Sequence, residues 1–256
     1  MALTPEARQT FARLFGAEPE PHPTDPELYE ILQNQIFGEV FATGVLTDGE
    51  RELLTVTVLA AMQTLPQLAA HVKVALNVGV APLEMREAIY QCAPYIGYPK
   101  ALNAAATANE VLTAAGVGLP LPDAATVAHE QREAAGAAIQ APLYGDEVKA
   151  VFSALPEPFD RVVPHLLTSG AFGDMETRDG LDVATRELVS LVAVAALGAA
   201  AQLRPHVAGA IRAGNTRQKV AAALVQVLPY IGGPYALSGL VLVAGYDESA
   251  SSEAYR

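Results

Sequence analysis

The chain has 256 residues, of which 51 % are apolar and 17 % are charged, and this composition excludes a disordered protein. The length allows one large domain or two ordinary ones. The net charge of −12 at pH 7 argues against a nucleic-acid partner, because binding to a phosphate backbone needs a basic surface. An anionic small molecule stays possible, since a few arginines in one pocket can outweigh the distant average charge.

The first residues lack the long apolar core of a secretory signal. The longest apolar run, residues 188–203, is shorter than the ~20 residues that span a bilayer, so we interpret it as a buried helix. We therefore expect a cytoplasmic protein with no membrane partner. The apolar content is high enough that we also expect a homo-oligomer, which would bury part of it.

Helix signals begin at Thr47, which forms a Ser/Thr-x-x-Glu capping box with Glu50 in front of an apolar run. That helix should fade between residues 62 and 66. Pro66 suits the first turn of a second helix, which should end at Gly79 in a left-handed cap.

A third helix should have Pro82 in its first turn and be kinked or stopped by Pro94. A fourth should run from Pro99 to Gly116. Because no stretch alternates as strands do, the predicted fold class is all-α.

The second half of the chain repeats the first at a spacing of 135 residues, so that 51–102 align without a gap on 186–237. Both copies carry the string Gln-x-x-Pro-Tyr-Ile-Gly-x-Pro-x-Ala-Leu, in which a helix breaks and the next one starts. A unit of this length is too long for a short solenoid repeat. We predict two tandem domains, 1–116 and 136–256, joined by a linker at 117–135.

The strongest chemical signal is a glutamate and a histidine 19 residues apart in both copies, Glu52 with His71 and Glu187 with His206. A carboxylate beside an imidazole fixes its tautomer and makes a proton donor or acceptor for neutral pH. A buried Glu–His pair that only ties two helices together explains the same pattern. Within each copy the glutamate lies farther than the histidine from the turn that joins their two helices. The histidine's partner can therefore also be the glutamate of the other copy or of another subunit.

Other polar residues shared by the copies are candidates for substrate binding. An arginine could hold a carboxylate or cap an ion-pair network, and a tyrosine at the helix break could face a pocket. These candidates are Arg51, Arg186, Gln67, Gln202, Tyr95 and Tyr230.

Several functions are excluded by what the sequence lacks. The only cysteine, Cys92, has Val227 as its counterpart and is interpreted as a small core residue. The remaining histidines, His22, His129 and His165, have no metal-ligand spacing. No phosphate-binding loop, dinucleotide fingerprint or nucleophile elbow is present.

The paired motifs resemble the carboxymuconolactone decarboxylase family. Arg-Glu-Leu-Leu at 51–54 is followed by Gln-Leu-Ala-Ala-His at 67–71 and by the Pro-Tyr-Ile-Gly string, and the second copy has Arg-Glu-Leu-Val and Gln-Leu-Arg-Pro-His. The resemblance covers most of residues 28–113 and 163–245. It implies two copies of the alkylhydroperoxidase-D-like helical unit, and a ring of six units reached by a homotrimer of two-domain chains.

The peroxidase branch of that family carries Cys-x-x-Cys before the motif histidine, but this chain has Thr64 and Gln67 there, and Ala199 and Gln202 in the second copy. Thiol peroxidase chemistry is therefore excluded. The resemblance then implies a cofactor-free lyase that decarboxylates a small carboxylated lactone or a similar acidic metabolite.

In that implied mechanism a histidine donates the proton, a glutamate tunes it, an arginine holds carboxylate, and neither a metal nor an organic cofactor is needed. The copies differ at Asn77 and Arg212, so their pockets cannot be equivalent, and the first copy has the polar set closer to the family's. A proton-transfer isomerase or cyclase and a non-catalytic oligomeric binding protein are the alternatives.

Overall fold

The structure is a computed structural model that describes residues 2–145 and 147–247. Within these ranges it is built of helices without strands, as predicted. The α-helices are α1 (Pro5–Phe15), α2 (Pro26–Gln33), α3 (Asp48–Met62), α4 (Leu65–Asn77), α5 (Pro82–Ile96), α6 (Tyr98–Ala114), α7 (Arg132–Tyr144), α8 (Glu147–Phe152), α9 (Phe159–Leu166), α10 (Val183–Ala196), α11 (Ala200–Arg212), α12 (Arg217–Ile231) and α13 (Gly233–Ala244).

Most predicted helix ends are confirmed. Thr47 and Glu50 form the expected capping box at the start of α3, and Gly79 adopts a positive φ of 87° after α4. Of the two alternatives for Pro94, a kink or a stop, the stop is wrong, because α5 runs on to Ile96. Proline cannot donate to the carbonyl four residues back and its ring crowds that carbonyl, but Gly97 N–H still donates to the Ala93 carbonyl, so the helix ends at the glycine.

Each half also contains a π-helical stretch that local patterns did not predict. These stretches are Asn34–Val40, after α2, and Leu167–Glu176, after α9. A helix widened in this way departs from the regular hydrogen-bond ladder and occurs often at functional sites. The second stretch packs closely on α7, since a Cβ at Gly173 would lie 2.2 Å from the Arg132 carbonyl oxygen.

The two halves share one apolar core rather than burying two separate ones. Residues of α3 to α6 and of α10 to α13 belong to the same buried cluster, and α3 packs directly on α10 and α12. Most of the burial that stabilises either half therefore depends on the other. No helix of the described ranges is long and apolar enough to cross a membrane.

A helix ahead of each repeat closes one end of the unit. Asn77 on α4 donates to the Leu14 carbonyl at the end of α1 (3.2 Å), and its counterpart Arg212 donates to the Leu143 carbonyl at the end of α7 (2.8 Å). These matching bonds identify α1 and α7 as equivalent elements. The domain limits stay a prediction, but α7 starts at Arg132, inside the predicted linker.

Candidate active site

In the first half, the predicted glutamate and histidine meet directly. Glu52 lies one turn into α3 and His71 in the middle of α4, and Glu52 Oε2 is 2.8 Å from His71 Nδ1. Both side chains are buried. The partner therefore comes from the same copy, and the different axial positions of the two residues do not prevent contact.

In the second half, a tyrosine stands between the corresponding residues. The Tyr144 hydroxyl at the end of α7 donates to Glu187 Oε2 (2.5 Å) and lies 2.9 Å from His206 Nδ1. Because Nδ1 faces the tyrosine, Nε2 is the nitrogen that His206 can offer to a ligand. The three groups form a buried, hydrogen-bonded chain that can carry a proton.

The difference between the halves comes from two substitutions. Phe15, the counterpart of Tyr144, packs edge-on to His71 with ring centroids 6.2 Å apart, but it has no hydroxyl. Gly209 provides the space for the tyrosine oxygen, since a Cβ there would lie 2.5 Å from it and 2.7 Å from Glu187 Oε2. The matching residue in α4 is Val74, which is buried.

Burial sets the protonation of the second site. It raises the pKa of Glu187 to about 7, an effect that the Tyr144 hydrogen bond partly offsets. Burial also lowers the pKa of His206 to about 4, and with the Glu187 charge it raises the pKa of Tyr144 well above its usual value. Near neutral pH the imidazole is therefore uncharged, and the carboxyl group is the member that gains or loses a proton.

A cavity of about 310 Å³ adjoins His206. Its polar lining consists of Tyr95, Tyr144, His206, Gln140 and Gln202, and its remaining walls are apolar side chains. The Gln140 carbonyl oxygen accepts a hydrogen bond from the Thr168 hydroxyl (2.7 Å). An apolar pocket with a few converging polar groups is the usual form of a small-molecule site.

The tyrosines of the repeated string cross over between the halves. Tyr95 lies in the last turn of α5, in the first half, but packs edge-on to His206, with ring centroids 5.3 Å apart. Tyr230 of the second half packs in the same way on His71 at 5.4 Å. Each imidazole is thus enclosed by residues of both repeats, which the sequence spacing did not reveal.

The predicted substrate-binding arginines are buried among protein acceptors. Arg51 donates to the Gln226 side chain (2.7 Å) and to the backbone carbonyls of Val40, Phe41 and Leu46. Arg186 donates to Gln91, Glu87 and backbone carbonyls in an equivalent position. Their predicted role in substrate binding stays a prediction. These hydrogen bonds connect the two halves and already use the guanidinium donors.

The glutamines shared by the two copies separate into two pairs, of which only Gln67 and Gln202 were predicted to bind substrate. Gln67 and Gln202 are both exposed near the starts of α4 and α11, and Gln202 lines the cavity. Gln91 and Gln226 instead lie in the interface between the halves, where they donate to Ser190 (3.1 Å) and Thr55 (3.2 Å).

Cys92 is fully buried, and burial raises the pKa of its thiol to about 12. A thiol in this state is a poor nucleophile, as expected of a core residue. Within the described residues, no group of three or more histidine, cysteine, aspartate or glutamate side chains is placed to hold a metal ion.

The sequence pattern of the carboxymuconolactone decarboxylase family matches residues 26–110 and 162–244, which together make up more than half of the chain. The chain belongs to the carboxymuconolactone decarboxylase family. The two matched segments are the two helical repeats, so this member carries the family unit twice.

Two relatives add to this assignment. Over 75 residues, 29 % of the chain, it is 32 % identical to nitrosuccinic acid decarboxylase npaB of Metarhizium robertsii, and the match spans 52 % of that protein. A solved structure named as a gamma-carboxymuconolactone decarboxylase subunit, from Burkholderia xenovorans LB400, superposes with a TM-score of 0.55 at 18 % identity, covering 93 % of this chain and 95 % of the other. At that identity the structure supports the fold alone.

Sequence reasoning on the family motifs missed Tyr144, because it lies outside the segment that repeats at 135 residues. A signal was present, since Leu-Phe-Gly at 14–16 and Leu-Tyr-Gly at 143–145 are the same helix end at a spacing of 129 residues. Gly209 in place of Val74 was a second signal, because a glycine within a helix needs a packing reason.

Proposed function

We propose that this chain is a cofactor-free decarboxylase whose working site is the cavity at His206. The observation that supports it best is the hydrogen-bonded chain from Glu187 through Tyr144 to the cavity-lining His206. The names of the family and of the relatives are consistent with loss of CO₂ from a small acid. The sequence-based preference was for the first half, but Phe15 and Val74 leave His71 without the bridging hydroxyl.

The reaction needs a proton at carbon after CO₂ leaves. The C–C bond breaks, its electron pair moves into a neighbouring electron-withdrawing group of the substrate, and CO₂ departs. His206 Nε2–H then protonates the carbon. Before the transfer Glu187 is protonated and donates to the tyrosine oxygen, and Tyr144 donates to Nδ1 rather than to Glu187 as it does when the carboxyl group is ionised, so Nε2 bears the hydrogen. As Nε2–H is transferred, the Tyr144 hydroxyl proton moves to Nδ1, and the Glu187 carboxyl proton moves to the tyrosine oxygen.

This relay suits the electrostatics of the site. The imidazole passes a proton on without remaining as a buried cation, which would be costly where burial lowers the pKa of His206 to about 4. Glu187, whose pKa is about 7, ends as the carboxylate. Nε2 then takes a proton from solvent through the cavity, and the protons on Nδ1 and on the tyrosine oxygen move back, which restores the protonated carboxyl. Turnover should therefore fall as pH rises past about 7, because the relay starts from the protonated carboxyl.

The developing negative charge needs hydrogen-bond donors in the cavity. Gln140 lines this space, and because its side-chain oxygen accepts from Thr168, its amide NH₂ group is the part that can donate to a ligand. Gln202 and Tyr95 also line the cavity and carry further donors. The predicted roles of His206, Glu187, Gln202 and Tyr95 are thus kept in this proposal, whereas His71, Glu52, Gln67 and Tyr230 are assigned to the first half, which we propose is structural.

The test is CO₂ release from a panel of small carboxylated lactones and acids activated beside the carboxylate. His206→Ala should abolish release, and the matched His71→Ala should retain it. Equal loss in both variants would contradict the assignment to one half, and full activity of His206→Ala would end the proposal. Deuterium uptake from solvent without CO₂ release would indicate a proton-transfer isomerase instead.

A further inference from the structure

The cavity at His206 adjoins a larger groove, which is lined mostly by residues of the second half. The groove has a volume of about 720 Å³. It shares five lining residues with the cavity: Pro94, Leu167, Ala171, Gln202 and Pro205. The two spaces are therefore adjacent, and a ligand whose reacting end lies in the cavity has the groove next to it.

The outer walls of the groove are apolar. Val151 and Phe152 of α8 and Val163 and Leu166 of α9 line it, and Leu166 is 60 % exposed while Val151 is 57 % exposed. Large apolar side chains left open beside a polar site are typical of a ligand groove. They can stabilise an alkyl or aryl group but have no donors for a polar one.

The charges of the two spaces limit how many carboxylates the ligand can carry. Among the residues whose side chains the structure describes, no lysine or arginine lines the cavity, and Arg132 is the one such residue that lines the groove. Arg132 forms an ion pair with Asp174 at 2.7 Å, so its charge is already neutralised. A second carboxylate on the ligand would lie in either space without a free cation from these described side chains, which is unfavourable.

We infer that the substrate is a monocarboxylic acid with an apolar tail, whose carboxylate end enters the cavity at His206 and whose tail lies in the groove. This inference rests on the proposed function for the identity of the reacting end. Small dicarboxylates are predicted to be poor ligands, because their second carboxylate would lie against the apolar walls of the groove.

The experiment measures binding of inert acids by calorimetry to the full chain, so that it does not depend on turnover. The probes are hexanoate, octanoate and decanoate, with octanedioate and decanedioate as their dicarboxylate matches. Affinity for the monocarboxylates should rise about fourfold for each methylene that enters the groove. The dicarboxylates should bind at least tenfold more weakly than the monocarboxylates of equal length.

Val163→Asp places a charge in the groove and should remove the dependence on chain length. Val162→Asp is the matched control, because Val162 is the neighbouring residue of α9, is 41 % exposed and does not line the groove. Ala201→Trp fills the groove from α11 and serves as a second variant if Val163→Asp does not fold. Both groove variants should weaken decanoate more than hexanoate.

Affinity that does not change with chain length in the native protein would overturn the inference, as would equal binding of the dicarboxylates. If the affinity still rises with the chain length of the acid in both groove variants, the tail does not lie in the groove. If Val163→Asp instead dissociates an oligomer and the native protein shows no chain-length dependence, the groove is a contact between copies and the inference fails. Failure of the proposed function would be separate: acids would bind as described, and none of the panel would release CO₂.

Discussion

At the scale of single residues, one oxygen atom distinguishes the two halves of the molecule. Tyr144 and Phe15 end equivalent helices and lie against equivalent histidines, but the tyrosine alone has a hydroxyl to place between carboxyl and imidazole. In the first half the carboxylate reaches the histidine by itself, at 2.8 Å. The second half has gained a chain of three titratable groups where the first has two.

Replacing Tyr144 with phenylalanine should therefore slow CO₂ release by about 10²-fold or more, the usual value of a positioned proton donor. The ring keeps its packing on Phe172, so the loss of stability should be limited to the buried hydrogen bond that Glu187 no longer accepts, about 1–3 kcal/mol. Turnover and melting temperature of Tyr144→Phe would be measured beside Tyr29→Phe, an exposed tyrosine outside both sites. Unchanged turnover in Tyr144→Phe would remove the tyrosine from the mechanism.

The same site should contribute two opposing pH dependences to stability. Glu187 has its pKa raised from 4.5 to about 7, so its contribution is complete below pH 4.5 and is lost as pH rises to 7. His206 has its pKa lowered from 6.5 to about 4, so its contribution is complete above pH 6.5 and is lost as pH falls to 4. Each contribution to the free energy of unfolding is on the order of 3 kcal/mol. Between pH 4.5 and 6.5 the two contributions change with pH in opposite directions, so the net dependence on pH is small.

Removing one group should expose the dependence of the other. Relative to the native protein, the free energy of unfolding of Glu187→Gln should rise with pH between 4 and 6.5, and that of His206→Gln should fall with pH between 4.5 and 7. Denaturant unfolding at several pH values gives both slopes. Parallel curves for the native protein and both variants would contradict the assigned pKa directions.

At the scale of helices, the sequence allowed the repeat, the helix order and most helix starts to be predicted, because caps and prolines act on adjacent residues. The capping box of Thr47 and Glu50 is such a local signal. The continuation of α5 through Pro94 was missed, since the local rule overstates the effect of a proline close to a helix end. The π-helical stretches and the crossing of Tyr95 and Tyr230 depend on packing between distant segments, which no local pattern encodes.

The glutamate and histidine of each half were identified from their spacing in the sequence, but the role of the arginines depends on which groups surround them in the fold. From the sequence alone, an arginine near the start of a helix can be interpreted as free to bind a substrate carboxylate. In the fold, Arg51 is 1 % exposed and holds together the end of a π-helical stretch, the start of α3 and a glutamine of α12.

Arg51→Met should accordingly act on stability. Removing the guanidinium leaves several buried carbonyl groups without a donor, each worth about 1–3 kcal/mol, so the loss should be about 3 kcal/mol or more. Arg161→Met, at a side chain 75 % exposed, is the control and should change the free energy of unfolding by less than about 0.5 kcal/mol. A variant of Arg51 that folds with native stability but shows a higher KM would instead support the predicted substrate-binding role.

At the scale of the whole molecule, the duplication has produced halves that share a core and each other's tyrosines but have diverged in chemistry. Single-copy units can obtain a partner's residues only by assembly. Here the exchange of Tyr95 and Tyr230 takes place within one chain, which lets the residues around His206 change while those around His71 stay as they are. The proposed division into a working half and a structural half is an outcome that this freedom allows.

The remaining open surface predicts a larger assembly. Corresponding leucines on the last helix of each repeat, Leu102 on α6 and Leu237 on α13, are 68 % and 53 % exposed. Val241, one turn further along α13, is 70 % exposed. Burying the same apolar face on both halves would stabilise a closed ring in which each chain contacts two others. The exposed face predicts self-association, and the resemblance to a family that forms rings of six units implies its size, so we expect a homotrimer with three times the 26.8 kDa chain mass.

Sedimentation velocity measures that mass directly. The double variant Leu102→Lys, Leu237→Lys should shift the trimer toward monomer, because each lysine would have to be buried at a contact without a partner. Gln9→Lys with Gln131→Lys adds the same two charges at exposed positions outside α6 and α13, and it should sediment as the native protein does. A native protein that sediments as a monomer, or a leucine variant that keeps the native mass, would show that this apolar face is not the one that joins the chains.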